Sequence, residues 1–519
     1  MKISHYILLV IFIFAFSVSG FAQKSGDYRT AVVGGVWSAT STWQTYNGST
    51  WVAAGSAPTG AQTAIIQSTD SVYFDVAVTI TDTLRNQGRM ANVSNLTIGS
   101  TGTYQHDRDA GSLPVATWDV GSTLYISGTV ATAPSNGRQD FYNVTYNTPG
   151  LTPNINLGWD SITIRGNIHV INTGIARWYM TAPLANDSSI FTIMGDIIMT
   201  GGTYSTNGSG NANTKIVVHQ YGNIDVTGGN LSVSRGSQGS GTGSTRWYLH
   251  NGNFSMSNAT TQNSNLTNAW FVFDKTGVQT LTLGAGNTLT SLPIEVSGGT
   301  VLDMGASKLR GSGRFMLDAG ATLATTTEGG IDSAVLVTGT VSLDSGASFI
   351  FHGSAPQITG LTMPATVLNL DIDNAAGVTL SRPTTINGIL RLKNGVFDNT
   401  IPFSLGPIGS ISFEGGSLLH PLGVGDGPDG LPTKFFVDQN YPNPFNPTTT
   451  IRFGLPGDAL VTAKVYDVLG QEMMTLYAGK MIAGMHELTF NPVNLGSGVY
   501  LCRIQAGNAV ETRRMMYIK

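Results

Sequence analysis

The 519-residue chain is poor in charge and nearly free of cysteine. Charged residues make up 11% of it, less than half the roughly 25% of an ordinary globular protein. Lys and Arg number 27 against 31 Asp and Glu, a net charge of −4. No basic surplus is left to neutralise phosphates, so no nucleic-acid partner is expected. Glu occurs only at Glu295, Glu328 and Glu414 before residue 434, and no Lys lies between residues 25 and 214. Cys502 stands alone, which excludes a disulfide framework. After the first residues no apolar run reaches the 18 or so of a membrane helix. What is abundant is Gly, with 65 residues, and Thr, with 62. Hydrophobic residues at 41% supply a core. This balance predicts β structure with many turns.

The two ends differ from the middle. Lys2, the eleven-residue apolar run from Tyr6 to Phe16, and small Gly20 and Ala22 read as a secretory signal peptide over 1–22, removed after Ala22. Residues 23–433 carry 18 basic and 25 acidic residues, whereas 434–519 carry eight and six. A Gly/Pro/Asp-rich stretch within 419–433 reads as an exposed linker between them.

Beyond that linker, Thr450-Ile-Arg-Phe, Val461-Thr-Ala-Lys-Val-Tyr, Glu487-Leu-Thr-Phe and Val499-Tyr-Leu-Cys-Arg-Ile alternate with period two between Gly and Pro breaks. They predict a small Ig-like antiparallel β-sandwich. Pro442, Pro444 and Pro447 cannot donate to a sheet and hold its entry extended. The run Asn440-Tyr-Pro-Asn-Pro-Phe-Asn-Pro447, with Val465-Tyr-Asp-Val-Leu-Gly470, Leu495-Gly-Ser-Gly-Val-Tyr500 and the basic end Arg513 to Lys519, resembles the type A C-terminal sorting domain of type IX secretion. The motif positions are Pro442, Asn443, Pro444, Phe445, Gly470, Gly498, Tyr500 and Lys519. The resemblance implies export across the outer membrane and partnership with the translocon and its sorting protease. It also implies removal of 434–519, then release of the passenger or its joining to a surface glycolipid. Cys502 departs from the family's pattern and reads as a buried strand thiol.

The middle repeats. Gly, any residue, apolar, any residue, apolar recurs at Gly166, Gly195, Gly222, Gly252, Gly313, Gly339 and Gly388, with a shorter version at Gly128. Intervals of 26 to 30 residues, with two longer gaps of 61 and 49 near doubled values, predict a solenoid of stacked coils. The predicted fold class is all-β: a parallel β-helix over 59–418, a cap over 23–58 and the sandwich at the end. On the order of 13 coils are expected. An antiparallel multi-sandwich array is the alternative, above all before Gly166. Gly35-Val-Trp37 to Trp43 with Trp51, and Phe349-Ile-Phe-His-Gly-Ser-Ala-Pro with Val367-Leu-Asn-Leu-Asp, are similar to the entry and closing coils of β-helical surface proteins exported by the same route. That likeness implies an adhesin-like passenger. The Trp cluster is read as a cap on the open end of the rod rather than as a sugar platform.

Catalytic chemistry is hard to find. Hydrolases need paired carboxylates, and lyases need a base beside a cation. His106-Asp107-Arg108-Asp109 is the best local constellation, but it reads better as a solvated turn. His169, His219 and His250 are 50 and 31 residues apart, far from any short metal motif. Asp196 and Asp225 read as turn or outward strand positions. No metal and no cofactor is expected. Arg177-Trp178-Tyr179 and Arg246-Trp247-Tyr248 form a pair that could stack on sugar rings. Trp178, Tyr179, Trp247 and Tyr248 are therefore the candidate ligand residues, with polysaccharide as the ligand class. Their phase against the glycines favours core or rim packing instead. Asp70-Ser, Asp82-Thr, Asp160-Ser and Asp332-Ser are similar to O-glycosylation acceptors of Bacteroidota-type secreted proteins. The sequence thus points to an exported, non-catalytic, adhesin-like or matrix β-solenoid. The alternative is a secreted polysaccharide lyase or hydrolase.

Overall fold

The computed structural model describes residues 22–181, 188–207, 214–234, 243–261, 268–284, 292–420, 432, 434–493 and 495–519. The expected signal peptide up to Phe21, and most of the expected linker, lie outside the described residues.

About 14 turns of parallel β-solenoid occupy 64–418. In the middle of the chain each coil contributes three strands, one to each of three sheets. One coil reads Ile197–Met199, Thr203–Asn207 and Lys215–Gln220. The next reads Ile224–Val226, Gly229–Ser232 and Ser244–Leu249. Inward positions stack in register: Ile197 on Ile224, Phe254 and Leu281, and Met199 on Val226, Met256 and Leu283. Each such side chain is buried, and burial of one contributes about 1.5–3 kcal/mol. A single coil has no second apolar layer, so only stacking closes the core.

The glycine pattern has a direct cause. A Cβ on Gly222 would lie 2.2 Å from the Gly195 carbonyl oxygen, and one on Gly252 would lie 2.0 Å from that of Gly222. Successive corners touch backbone to backbone there. The next residue in each coil builds a ladder. Asn143 Oδ1 accepts from the Asn167 amide at 2.9 Å, Asn167 Oδ1 from the Asp196 amide at 2.8 Å, and Asp196 Oδ1 from the Asn223 amide at 2.6 Å. Asn223 Oδ1 continues to the Asn253 amide at 2.9 Å and Asn253 Oδ1 to the Thr280 amide at 2.8 Å. Asp196 is thus a rung in a corner ladder. Asp225 faces outward and accepts from Ser255 Oγ at 2.5 Å.

Three details differ from the sequence reading. Gly313 and Gly339 precede Phe315–Leu317 and Val341–Leu343, which belong to the second, 8-stranded sheet and not to the long sheet entered after Gly166 to Gly252. The pattern marks strand entry on more than one face, so the 61- and 49-residue intervals each run from one sheet to another. In the 61-residue gap, Gln279 aligns with Gly252, and its Nε2 donates to the Leu249 and Gly252 carbonyls at 2.8 Å each. Before Gly166 the coils are parallel and shorter, because Thr83, Thr103, Thr123 and Asn143 stand in register every 20 residues. The antiparallel alternative holds only at the entry, where Tyr28–Thr30, Trp43–Tyr46 and Trp51–Ala53 pair antiparallel. There Trp37 and Trp43 are buried edge to face with centroids 5.0 Å apart, over the first coil. Trp51 lies under the Arg29 guanidinium at 4.7 Å.

The C-terminal unit has two antiparallel sheets. One orders Phe436–Val437, Thr449–Leu455 and Gly484–Phe490; the other orders Glu472–Met481, Ala459–Tyr466, Gly498–Ala506 and Ala509–Tyr517. Ile451, Phe453, Val461, Val465, Phe490, Ile504 and Met515 share its core. Cys502 is buried among them, and burial pushes its thiol up to about 12. At that value it is protonated and unreactive.

Gly222→Ala should force neighbouring coils apart. The expected loss is about 1–3 kcal/mol of stability, read as a lower denaturation midpoint, whereas alanine at the exposed Gly457, with open space around it, should change little.

Candidate functional site

The second sheet carries the strongest grouping of polar and aromatic side chains. Its outward residues fall into columns, since alternate residues face one way. Val217, Arg246 and Trp270 stand side by side on adjacent strands. The next column runs His219, Tyr248, Val272, Glu295, Met316. Beyond it lie Tyr221, His250 and Asp274, each one residue past its strand.

Two interactions cross the columns. Arg246 donates to Glu295 Oε1 two strands away, and its guanidinium also lies 5.6 Å from the Tyr248 ring. Arg314 covers the Trp270 ring at 4.2 Å. The Glu295 side chain is only 8% exposed, and its Oε2 has no hydrogen-bond partner among the described residues. Burial raises its carboxyl above the usual range against the pull of Arg246, and Asp318 adds to the rise. Burial raises the Asp318 carboxyl likewise.

A hydrogen-bonded chain spans three coils beside them. His219 Nδ1 lies 2.8 Å from His250 Nε2, and His250 Nδ1 lies 2.9 Å from Asp274 Oδ2. The two imidazoles stack at 5.1 Å and 14°, with Tyr248 on His219 at 5.8 Å and Tyr221 on His250 at 4.7 Å. Burial, then the neighbouring His250, lowers the His219 pKa. Where His219 Nδ1 donates to His250 Nε2 and His250 Nδ1 donates to Asp274, His219 Nε2 is left as an acceptor. Sequence spacing hid this chain, because one coil here is 29 residues and the two rings meet two positions off that register. Among the described residues, no group of three or more His, Cys, Asp or Glu side chains is placed to hold a metal ion.

The aromatic pair picked out in the sequence needs correction. Trp178 and Trp247 are fully buried. Each sits at an inward position of its strand, Trp178 with Nε1 on Thr148 Oγ1 at 3.0 Å, so neither indole offers a face to a ligand. Alternation puts Tyr179 and Tyr248 outward instead, but on different sheets, and only Tyr248 joins the site. Trp270, which sequence reasoning passed over, is the outward indole of this face. Its alternation within Ala269–Phe273, out of phase with buried Phe271 and Phe273, was the signal available.

The other sequence candidates are structural. His106 points inward with Nε2 on the Ala110 carbonyl at 2.7 Å, and burial lowers its pKa to about 4. Asp107 binds Arg85, Gln87 and Ser127, and Asp109 Oδ1 accepts the amides of Val130, Ala131 and Thr132. His169 lies outward on the long sheet, apart from His219 and His250. Among the four Asp-Ser/Thr sites, Ser161 is exposed, while Ser71, Thr83 and Ser333 are half-buried.

In the C-terminal unit the motif residues clasp the last strand. Asn443 Oδ1 accepts the Met516 amide at 2.8 Å, its Nδ2 donates to the Arg514 carbonyl at 3.2 Å, and the Phe445 amide donates to Met516 at 2.9 Å. Tyr441, Pro442 and Pro444 remain exposed around buried Phe445. Gly470 turns at φ +82°, Gly498 opens a strand, Tyr500 donates to the Gly496 carbonyl at 2.7 Å, and the Lys519 amide reaches Ser497 Oγ at 2.8 Å. Residues 439–519 match the family described as the secretion system C-terminal sorting domain. The C-terminal unit is a type IX secretion sorting domain. No curated protein and no solved structure matches the chain. The sorting domain implies contact with the secretion machinery and export across the outer membrane. Among the described residues no helix is long and apolar enough to cross a membrane.

Two outcomes follow from these environments. Trp178→Ala and Trp247→Ala should each cost about 3–5 kcal/mol through core loss, seen in chemical denaturation. His352 Nε2 meets Asp303 Oδ1 at 3.1 Å; bonding to Asp303 raises the imidazole, and bonding to His352 lowers the carboxyl. The raised His contributes stability below its unfolded value and loses it as pH rises through the folded one. The lowered Asp contributes above its unfolded value and loses it as pH falls through the folded one. Asp303→Asn should therefore cost most near pH 5–6, by about 1 kcal/mol or less, and least above about pH 8.

Proposed function

We propose that the chain is an exported, non-catalytic β-solenoid of adhesin-like or matrix type whose second sheet binds glycan. The observation that carries this reading is the juxtaposition of Tyr248, Trp270 and the Arg246–Glu295 pair on neighbouring coils. Aromatic rings stack on the C–H faces of sugars, and ion-paired side chains hydrogen-bond to their hydroxyls. A rigid sheet holds these groups in fixed order along the rod. The sorting domain delivers the solenoid across the outer membrane. The machinery's protease then removes that domain, and the passenger is released or joined to surface glycolipid.

The second reading, a polysaccharide-cleaving enzyme, draws on the same face: carboxyls with raised pKa beside the Asp274–His250–His219 chain. One experiment separates the two. The purified mature protein is incubated with neutral and uronate polysaccharides, with calcium present, and bound polymer and new chain ends are measured together. Binding without new chain ends is the expected result; new ends would overturn the non-catalytic reading. Trp270→Ala should weaken binding about tenfold while leaving the denaturation midpoint nearly unchanged. Deleting 434–519 should leave the passenger inside the outer membrane, as followed by cell fractionation.

A further inference from the structure

We propose that the second-sheet face takes an uncharged, hydroxyl-rich glycan laid along the coil stack, and discriminates against uronate and sulfated chains. This deepens the glycan-binding reading and rests on it.

The cations of the face are already engaged. Arg246 is held by Glu295, and Arg314 is laid over the Trp270 ring. A sugar carboxylate would have to displace Glu295 from Arg246 to gain a guanidinium. It would also meet Asp274 and Asp318 on the flanking coils, and like charges in a partly desolvated site repel.

The unmet groups ask for donors. Glu295 Oε2 and Asp274 Oδ1 are buried acceptors with no partner among the described residues. The Glu295 side chain is more than nine-tenths buried and lies at the centre of the face, between Val272 and Met316 in its column. His219, whose pKa burial lowers, adds a further acceptor at Nε2 where its Nδ1 donates to His250. Sugar hydroxyls donate hydrogen bonds, whereas ionised carboxylates and sulfates only accept. A buried acceptor left unpaired is destabilising, so a ligand that supplies a donor recovers that cost. An acidic sugar would instead set acceptor against acceptor.

The apolar groups fix the direction. Tyr248 and Trp270, both half-buried, lie on successive strands about 4.8 Å apart. A sugar chain that follows this series runs along the rod axis and meets a new coil at every step.

The decisive experiment uses a matched pair of ligands with the mature wild-type protein: polygalacturonate and its fully methyl-esterified form, in affinity electrophoresis. The two share a backbone and differ in charge. Neutral galactomannan, xylan and amylose extend the neutral arm, and alginate and dextran sulfate the acidic one. Expected are binding of the esterified or another neutral polymer at least about tenfold tighter than of the acidic ones, and affinity that changes less than about twofold between about 0.02 and 0.5 M NaCl. Glu295→Gln, which swaps one acceptor oxygen for a donor, should weaken neutral-glycan binding about tenfold. Tighter, salt-sensitive binding of the acidic polymers would overturn this inference and leave the glycan-binding reading standing. Binding of neither class would overturn the glycan-binding reading and this inference with it. The wild-type comparison decides the matter even if Glu295→Gln fails to fold.

Discussion

Everything in the solenoid depends on how closely one coil can approach the next. Strand pairing sets a spacing of about 4.8 Å, and at the corners the backbone itself must fit within it. At Gly195, Gly222 and Gly252 the carbonyl of one coil occupies the space where the next residue's Cβ would be. The neighbouring Asn and Asp side chains use the same closeness, each accepting the amide of the coil above. The corner is therefore both the tightest point of the stack and the place where register is fixed. Inward side chains then fall on one another without further specification.

This explains which parts of the fold were legible. The residue after each glycine alternates with buried positions, so strand entry is written locally and the solenoid is readable from it. The period was only partly readable, because Gly313 and Gly339 mark a different face from Gly166 to Gly252. The first third carries a 20-residue period on Thr83, Thr103 and Thr123, a residue so frequent here that its recurrence is masked by composition. At 279 a buried Gln takes the aligned place and bonds the carbonyls beneath it, which erases the motif while preserving the coil.

The site was less legible than the fold. Side chains 24 to 49 residues apart meet because a coil brings them together, so a search for close spacing misses them. Arg246 and Glu295 are two strands apart in space and 49 residues apart in sequence. Trp178 and Trp247 attracted notice because each follows an Arg and precedes a Tyr, yet strand alternation turns both indoles inward. The sorting domain was legible for the opposite reason. Its motif residues fall in short contiguous runs, such as Asn440 to Pro447 and Leu495 to Tyr500.

A clasp joins the domain's first segment to its last strand. Asn443 and Phe445 find their partners at Arg514 and Met516, roughly seventy residues later, and Phe445 bridges to Tyr517. The Pro-rich entry pairs locally through Tyr441 and Thr450, but Asn443 and Phe445 find their partners only at residues 514–517. A chain that stops before residue 514 lacks the groups to which Asn443 and Phe445 bond. The two ends of the domain are thereby held in one structure, so its entry and its last strand fold as a unit.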